Sequence, residues 1–251
     1  MRQAERQLKI QELFAKEEYI DLRDICTQFG ASKSCVRRDL IELERRGILR
    51  RVHGGAISLQ TRDEVLDLGR LSGSCHEEKA RIGKAAAAMV QDGQTVILAG
   101  GSSVVEVAHN LIDRPLQIIT NSIPVAQIFW ECKQVEVILT GGYLYPRLGI
   151  QLGPICERML HSISADVLIM GIRGLTMSGI SDTNTLIVES LRAMIKVANN
   201  VIIVADHTKF GRDAMIHVAG LNEVDCVISD DALKAEFREM LKANGVDCVT
   251  V

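Results

Sequence analysis

Lys33, Ser34, Arg37 and Arg38 fall within six residues of sequence, and Arg45, Arg46, Arg50 and Arg51 follow in the next thirteen. Between residues 32 and 55 seven basic side chains stand against three acidic ones, in a chain whose net charge is -3. A guanidinium presents a planar fork that donates two parallel hydrogen bonds, to a phosphate or to a guanine edge. The chemistry open to this cluster is therefore recognition of a polyanion. A second set of residues is more dispersed: Gly100, Gly101, Ser102 and Ser103, then Asn121 and Ser122, then Gly141 and Gly142, then Lys209. Each group follows an apolar run, directly or within three residues. Glycines let backbone amides approach an anion, a helix start adds partial positive charge, and hydroxyls with a lysine complete a set suited to a small phosphate. Plainer readings exist for both. A charged helix is commonly a solvated face, with Arg45 and Arg46 complementing its C-terminal dipole. Gly, Ser and Asn after strands are commonly turns and caps.

The elements that position these residues decide between the readings. Three short helices are expected in the first sixty residues, from apolar stripes at Ile10, Leu13 and Phe14, at Leu22, Ile25, Cys26 and Phe29, and at Val36, Leu40 and Leu43. Asp21 is placed to cap the second helix, Gly30 to end it, Ser32 to cap the third and Gly47 to stop it. The stretch from about 20 to 46 then reads as a helix-turn-helix. Lys33, Ser34, Arg37 and Arg38 lie off the apolar stripe at the start of the third helix, where a recognition helix meets the major groove. Residues 48–59 read as a hairpin wing turning at His53, Gly54 and Gly55 and carrying Arg50 and Arg51 toward phosphates. Capped helix, turn, basic helix, glycine stop and basic glycine wing, in that order, favour duplex DNA over a solvated face.

The segment Phe29 to Gly55, "FGASKSCVRRDLIELERRGILRRVHGG", resembles the winged helix-turn-helix of DeoR-family bacterial transcription regulators. The likeness lies in a serine-started recognition helix with an Arg-Arg-Asp-Leu core, then Leu-Glu, a glycine, and a wing ending in His-Gly-Gly. Ala31 and Cys35 replace a more usual valine and threonine. The resemblance implies DNA binding through Ser32, Lys33, Ser34, Arg37, Arg38, Arg50, Arg51, His53 and Gly54.

Composition divides the chain in the same place. Residues 1–60 carry a net charge of +3 and the remainder -6, so a small basic head precedes an acidic body. We expect the head over 1–59, a polar linker over 60–76 and a body over 77–251. In the body, apolar runs at 95–99, 116–120, 135–140, 166–171, 201–206 and 225–230 alternate with helical patterns. That alternation predicts an α/β fold, a mainly parallel sheet covered on both faces. Ligands of such sheets bind beyond the carboxyl ends of the strands, where the Gly, Ser, Asn and Lys209 groups fall.

The body also resembles the DeoR-family effector domain, through "EKARIGKAAA", "GGSS", "TNS", "ILTGG", "MGIRG" and "DHTKFG". This implies an αβα fold like that of ribose-5-phosphate isomerase and the CoA transferases, and a phosphorylated sugar as effector. Three departures from the family pattern bear on the ligand. Ala99 precedes Gly100-Gly101-Ser102-Ser103 where an aspartate is usual, Arg173 stands in place of another acidic residue, and Glu189 and Arg192 are kept while Leu191 replaces a lysine. Fewer carboxylates and an added guanidinium favour a ligand with a second acidic group, such as a sugar-acid phosphate. The expected effector residues are Gly101, Ser102, Ser103, Asn121, Ser122, Gly141, Gly142, Arg173, Glu189 and Lys209.

A sugar-phosphate isomerase with an appended head is the alternative, with Glu189 as base. The loss of acid at Ala99 and Arg173 argues against turnover. The six histidines are dispersed and form no HExxH, so neither metal nor cofactor is expected. Seven scattered cysteines without a CxxC pair, and no apolar run near eighteen residues, point to reduced thiols in a cytoplasm and away from a membrane. The expected partners are an operator duplex, a small anionic sugar-derived effector, and further copies of the chain in a homodimer or homotetramer.

Overall fold

The computed structural model describes residues 3–14, 19–45, 48–52, 55–58 and 75–251. The chain divides into two compact units, Met1–Leu66 and Asp67–Val251.

In the first unit α1 (Gln3–Phe14), α2 (Leu22–Phe29) and α3 (Lys33–Arg45) surround a small core, with strands β1 (Tyr19–Asp21), β2 (Leu49–Val52) and β3 (Gly55–Ser58). The core is built from the predicted stripes: Ile10, Ile25, Val36, Leu40 and Leu43 are buried, joined by Ile20, Leu49 and Ala56. Asp21 caps α2 by accepting from the Arg23 amide at 2.7 Å. Gly30 ends that helix with φ 58, a left-handed conformation that glycine adopts at no steric cost, and the Ala31 amide closes back on Cys26 O at 3.1 Å. Ser32 Oγ accepts from the Cys35 amide at 3.4 Å, opening α3. Strands β2 and β3 form the antiparallel wing. Gly47, His53, Gly54 and the expected linker up to Ser74 lie outside the described residues. One strand was not legible in the sequence. Three residues of β1 pair antiparallel with β3, supplying hydrogen bonds to an edge that the wing would otherwise leave open.

The Arg-Arg-Asp-Leu core serves two purposes. Arg37 and Arg38 are exposed, whereas Leu40 belongs to the core and Asp39 is fully buried. Asp39 accepts from Arg6 Nε at 2.6 Å and from Gln7 Nε2 at 3.2 Å, clamping α1 to the recognition helix. Replacing Asp39 with alanine leaves both donors without their acceptor. The expected cost is about 2–3 kcal/mol, or roughly 10–20 °C in the melting of a unit this small. Circular dichroism melts check it, and an unchanged midpoint would remove the clamp.

The second unit contains, in chain order, α4 (His76–Ala88), β4 (Thr95–Leu98), α5 (Ser102–His109), β5 (Leu116–Thr120), α6 (Ile123–Ile128) and β6 (Val135–Leu139). A hairpin of β7 (Tyr143–Tyr145) and β8 (Ile150–Leu152) follows, then α7 (Pro154–Leu160), β9 (Ala165–Met170), β10 (Gly174–Thr176) and β11 (Gly179–Asp182). The chain ends with α8 (Thr185–Val197), β12 (Ala198–Val204), β13 (Ile216–Ala219), β14 (Cys226–Ser229), α9 (Ala235–Ala243) and β15 (Asp247–Thr250).

Seven strands form one sheet in the order β15-β14-β12-β9-β4-β5-β6, every neighbouring pair parallel. Val96, Leu98, Ile118, Val167, Ile169, Ile202 and Val204 pack in a core with Ile82, Val104, Val107 and Val125 of α4, α5 and α6. The alternate residues Ile97, Ile119, Leu168, Met170 and Ile203 are also buried. Burial on both faces is why the strands read as unbroken apolar runs. The expected architecture, a helix-turn-helix head with a wing and a parallel αβα body, is the one the chain adopts. Strand β15 escaped the sequence reading because, as an edge strand, it buries no residue fully and lacks such a run.

The strand order positions the site. From β4 the chain builds outward through β5 to β6. It then returns to place β9 on the other side of β4 and builds outward through β12, β14 and β15. The direction of winding reverses between β4 and β9, and open sheets of this kind form a crevice at that point, beyond the carboxyl ends of the strands.

Candidate nucleic-acid interface and effector site

Lys33, Ser34, Arg37 and Arg38 all project into solvent from the first turns of α3. Their exposure follows from the helical period, because Val36, Leu40 and Leu43 take the inward face. Ser32 and Ser34 share a hydrogen bond between their hydroxyls at 3.0 Å. Lys33, Arg37 and Arg51 line a groove of about 610 Å³ with Arg23, Asp21 and Val52, between the recognition helix, the start of α2 and the wing. Arg23 was not singled out in the sequence. Its place became visible only when α2 was set against the wing. Arg51 faces this groove; Arg50, also exposed, does not line it. Arg51 is already engaged. Its backbone amide donates to Glu44 Oε1 at 2.9 Å and its Nε to Glu44 Oε2 at 2.6 Å. These bonds hold the Glu44 carboxyl below the usual carboxylate range. They fix the wing to the end of α3, and a guanidinium keeps further N–H donors for a phosphate.

In the body, the loops singled out in the sequence meet at one edge of the sheet, as parallel strands require. The loop Gly100–Ser103 leaves β4, with Gly101 at the N-cap of α5 and Ser103 buried. The loop after β5 is tightly held: the Ser122 amide donates to Thr120 Oγ1 at 3.0 Å, and Ser122 Oγ caps α6 by accepting from the Val125 amide at 3.3 Å. Asn121 Nδ2 donates to Gln151 O at 3.1 Å, and Gln151 Oε1 accepts from the Gly141 amide at 3.1 Å. Gln151, on β8, therefore ties the loop of β5 to the Gly141-Gly142 loop of β6. The hairpin that carries it had no sequence signature.

Across the switch point, Arg173 follows β9. Its charge acts on Asp182, a buried carboxylate that accepts from the Thr183 and Asn184 amides at 2.6 and 3.1 Å. Burial raises the Asp182 carboxyl above its ordinary value, against the pull of those amides and of Arg173. The guanidinium gained in the sequence thus has a carboxylate within its field. After β12, Asp206 caps the short turn His207–Lys209, accepting from the Thr208 amide at 3.1 Å and from the Thr208 hydroxyl. Asp230, fully buried at the end of β14, accepts from the His207 amide at 2.7 Å and pairs with His207 Nδ1 at 2.8 Å. These two acids hold in place the turn that presents Lys209.

Glu189 is placed elsewhere. Residues Val188, Leu191, Met194 and Ile195 take the buried side of α8, which turns Glu189 outward. There it accepts from Arg192 Nη1 at 2.9 Å and lines a separate groove with Glu157, His161 and His217. None of the strand-end loop residues lines that groove. Arg192 also donates to the carbonyls of His217 and Val218, at 2.6 and 3.2 Å. The Glu189–Arg192 pair that persists from the family pattern thus braces α8 against β13. Among the described residues no group of three or more His, Cys, Asp or Glu could hold a metal ion, and no helix is long and apolar enough to cross a membrane.

Residues 6–62 match a DeoR-like helix-turn-helix domain and residues 74–231 a DeoR C terminal sensor domain. The HTH-type transcriptional repressor GlcR of Bacillus subtilis is 33% identical over 248 residues, covering 98% of this chain and 96% of that protein. The glycerol-3-phosphate regulon repressor of Escherichia coli is 33% identical over 237 residues, covering 92% of each. Among solved structures, ribose 5-phosphate isomerase A of Methanocaldococcus jannaschii aligns with 55% of each chain at 14% identity and a TM-score of 0.40. With the head and the sensor domain both matched, in order and over almost the whole length, the chain belongs to the DeoR family of transcriptional regulators.

Proposed function

We propose that the protein represses a carbohydrate-metabolism operon by sequence-specific binding to its operator, and that a phosphorylated sugar or sugar acid in the strand-end site controls that binding. The observation that carries the reading is the pairing of two sites in one chain. One is a cationic groove on a recognition helix; the other is a cluster of Gly, Ser, Asn and Lys loops at the switch point of a parallel sheet. A repressor needs the first to find DNA and the second to report a metabolite. The names of GlcR and of the glycerol-3-phosphate regulon repressor support the same assignment. Turnover has less support, since the carboxylate nominated as base, Glu189, lies outside the strand-end cluster. A recognition helix reads one half-site, and pairing multiplies specificity, so we assign a homodimer or homotetramer as the working form. The exposed apolar side chains Leu139, Tyr143, Leu144 and Ile155 around the β6 edge are available for such contacts.

Footprinting of genomic fragments, with and without sugar phosphates, tests the whole reading; no protected sequence under any condition would overturn it. Thermal shift tests the ligand class. A sugar-acid phosphate such as 6-phosphogluconate, at about a hundred times its Kd, is expected to raise the melting point of the body by roughly 5–10 °C. Stabilisation by neutral sugars alone would exclude the anionic site, and stabilisation confined to singly acidic phosphates would exclude a second acidic group on the ligand.

A further inference from the structure

We propose that Lys79 is a positioning residue tying α4 to the effector loop, so that occupancy of the strand-end site is passed to the first described helix after the segment joining the two units. The inference rests on the effector reading above. Lys79 lies in the first turn of α4 and is 3% exposed, and Asp206 is 2% exposed. A buried ammonium is costly unless an anion stands near it. Burial lowers the Lys79 pKa; of the charges acting on it the strongest is Asp206, which raises it, followed by Lys209, which lowers it. Asp206 is the same carboxylate that caps the Lys209 turn. One buried acid therefore caps the turn that carries Lys209 and also acts on Lys79 of α4. An anion arriving at Lys209 attracts Lys79 and repels Asp206, so the forces on Lys79 must change when the site fills.

Two further contacts make α4 the element that would register this change. Arg81 Nη2 meets Asp231 Oδ1 at 3.3 Å, reaching the loop after β14. Gly83 lies flush against α5, since a Cβ there would sit 2.7 Å from Glu106 Cβ and the Glu106 carbonyl carbon. Helix α5 itself starts at Ser102, in the Gly-Gly-Ser-Ser loop. The first two turns of α4 thus touch, or act electrostatically on, elements that follow β4, β12 and β14. A packed interface of this kind shifts as a unit rather than deforming gradually.

The test uses the full chain and an operator fragment recovered by footprinting, with D-ribose 5-phosphate and 6-phosphogluconate as probes. Fluorescence anisotropy measures operator affinity with and without each anion, and calorimetry measures binding of the anion itself. For Lys79→Met we expect operator affinity without anion to be unchanged and anion affinity to stay within about threefold. The anion's effect on operator affinity should fall from the roughly 5- to 150-fold typical of allosteric coupling to less than about twofold. Lys79→Arg should restore most of it, and Lys79→Gln replaces the methionine variant if that protein melts early. A coupling factor equal to that of the unaltered protein would overturn the proposal. So would a loss of anion binding of about tenfold or more, which would make Lys79 a ligand contact. If the unaltered protein itself answers to neither anion, the effector reading fails first and takes this one with it.

Discussion

Replacing Arg37 or Arg38 with alanine is expected to weaken operator binding by about 1–3 kcal/mol, roughly 5- to 150-fold, wherever the arginine reads a base. Both side chains stand exposed at the start of α3, and neither takes part in the core that Val36, Leu40 and Leu43 build. Their loss should therefore leave the head folded, which circular dichroism can confirm. Arg37 shares its groove with Lys33, Arg23 and Arg51, so the penalty should be strongly salt-dependent, each lost phosphate contact lowering the slope of log K against log salt by about one. Arg51→Ala should behave differently. Losing a contact to phosphate weakens all sequences alike, and this substitution also removes the side-chain half of the link by which Glu44 holds the wing to α3, while the backbone bond remains. Competition between operator and random duplex separates the two classes. Wild-type affinity in all three variants would mean that α3 is not the reading helix.

How far these assignments could be read from sequence depended on whether one short stretch held the information. The helix-turn-helix was legible because its period, caps and basic face lie within the single stretch from Asp21 to Arg45, and Asp21, Gly30 and Ser32 occupy the positions assigned to them. The parallel body was legible because burial on both faces leaves unbroken apolar runs. What stayed hidden was long-range. Asp39 reads as one more surface charge until α1 brings Arg6 to it across 33 residues. Gln151 and Asp182 sit on short strands without a run or alternation to announce them. Lys79 looks like a solvated helix charge, and only the packing of α4 over the sheet shows that it is buried. Glu189, which lies away from the strand-end loops, shows the converse. A motif resemblance names a residue without saying which way its helix is turned, and the buried side of α8 is taken by Val188, Leu191, Met194 and Ile195.

The second large effect is expected at Lys209. Replacing it with alanine should weaken anion binding by about 1.5–3 kcal/mol, roughly 10- to 150-fold, the value of a charge-assisted hydrogen bond, while operator affinity in the absence of anion stays unchanged. The argument rests on the rigidity of the turn that carries it. Asp206 caps the turn, Asp230 holds His207 through both backbone and ring, and Phe210 packs on Phe237 with ring centroids 5.6 Å apart. On a preorganised turn only the lysine side chain, and not the backbone, has to be ordered when it meets a ligand, and removing it does not disturb the frame. Asp230→Ala should do the opposite. It removes the acceptor of the His207 amide and ring and of the Ala232 amide at 3.0 Å, a loss of about 1–3 kcal/mol in all, since these donors are only partly buried. That variant is expected to melt early and to lose anion binding because the turn is lost, whereas Lys209→Ala melts normally and loses it because the charge is lost. Calorimetry and melting of the two proteins side by side distinguish these causes. A Lys209→Ala protein that binds 6-phosphogluconate as the unaltered chain does would move the effector away from the carboxyl edge of the sheet.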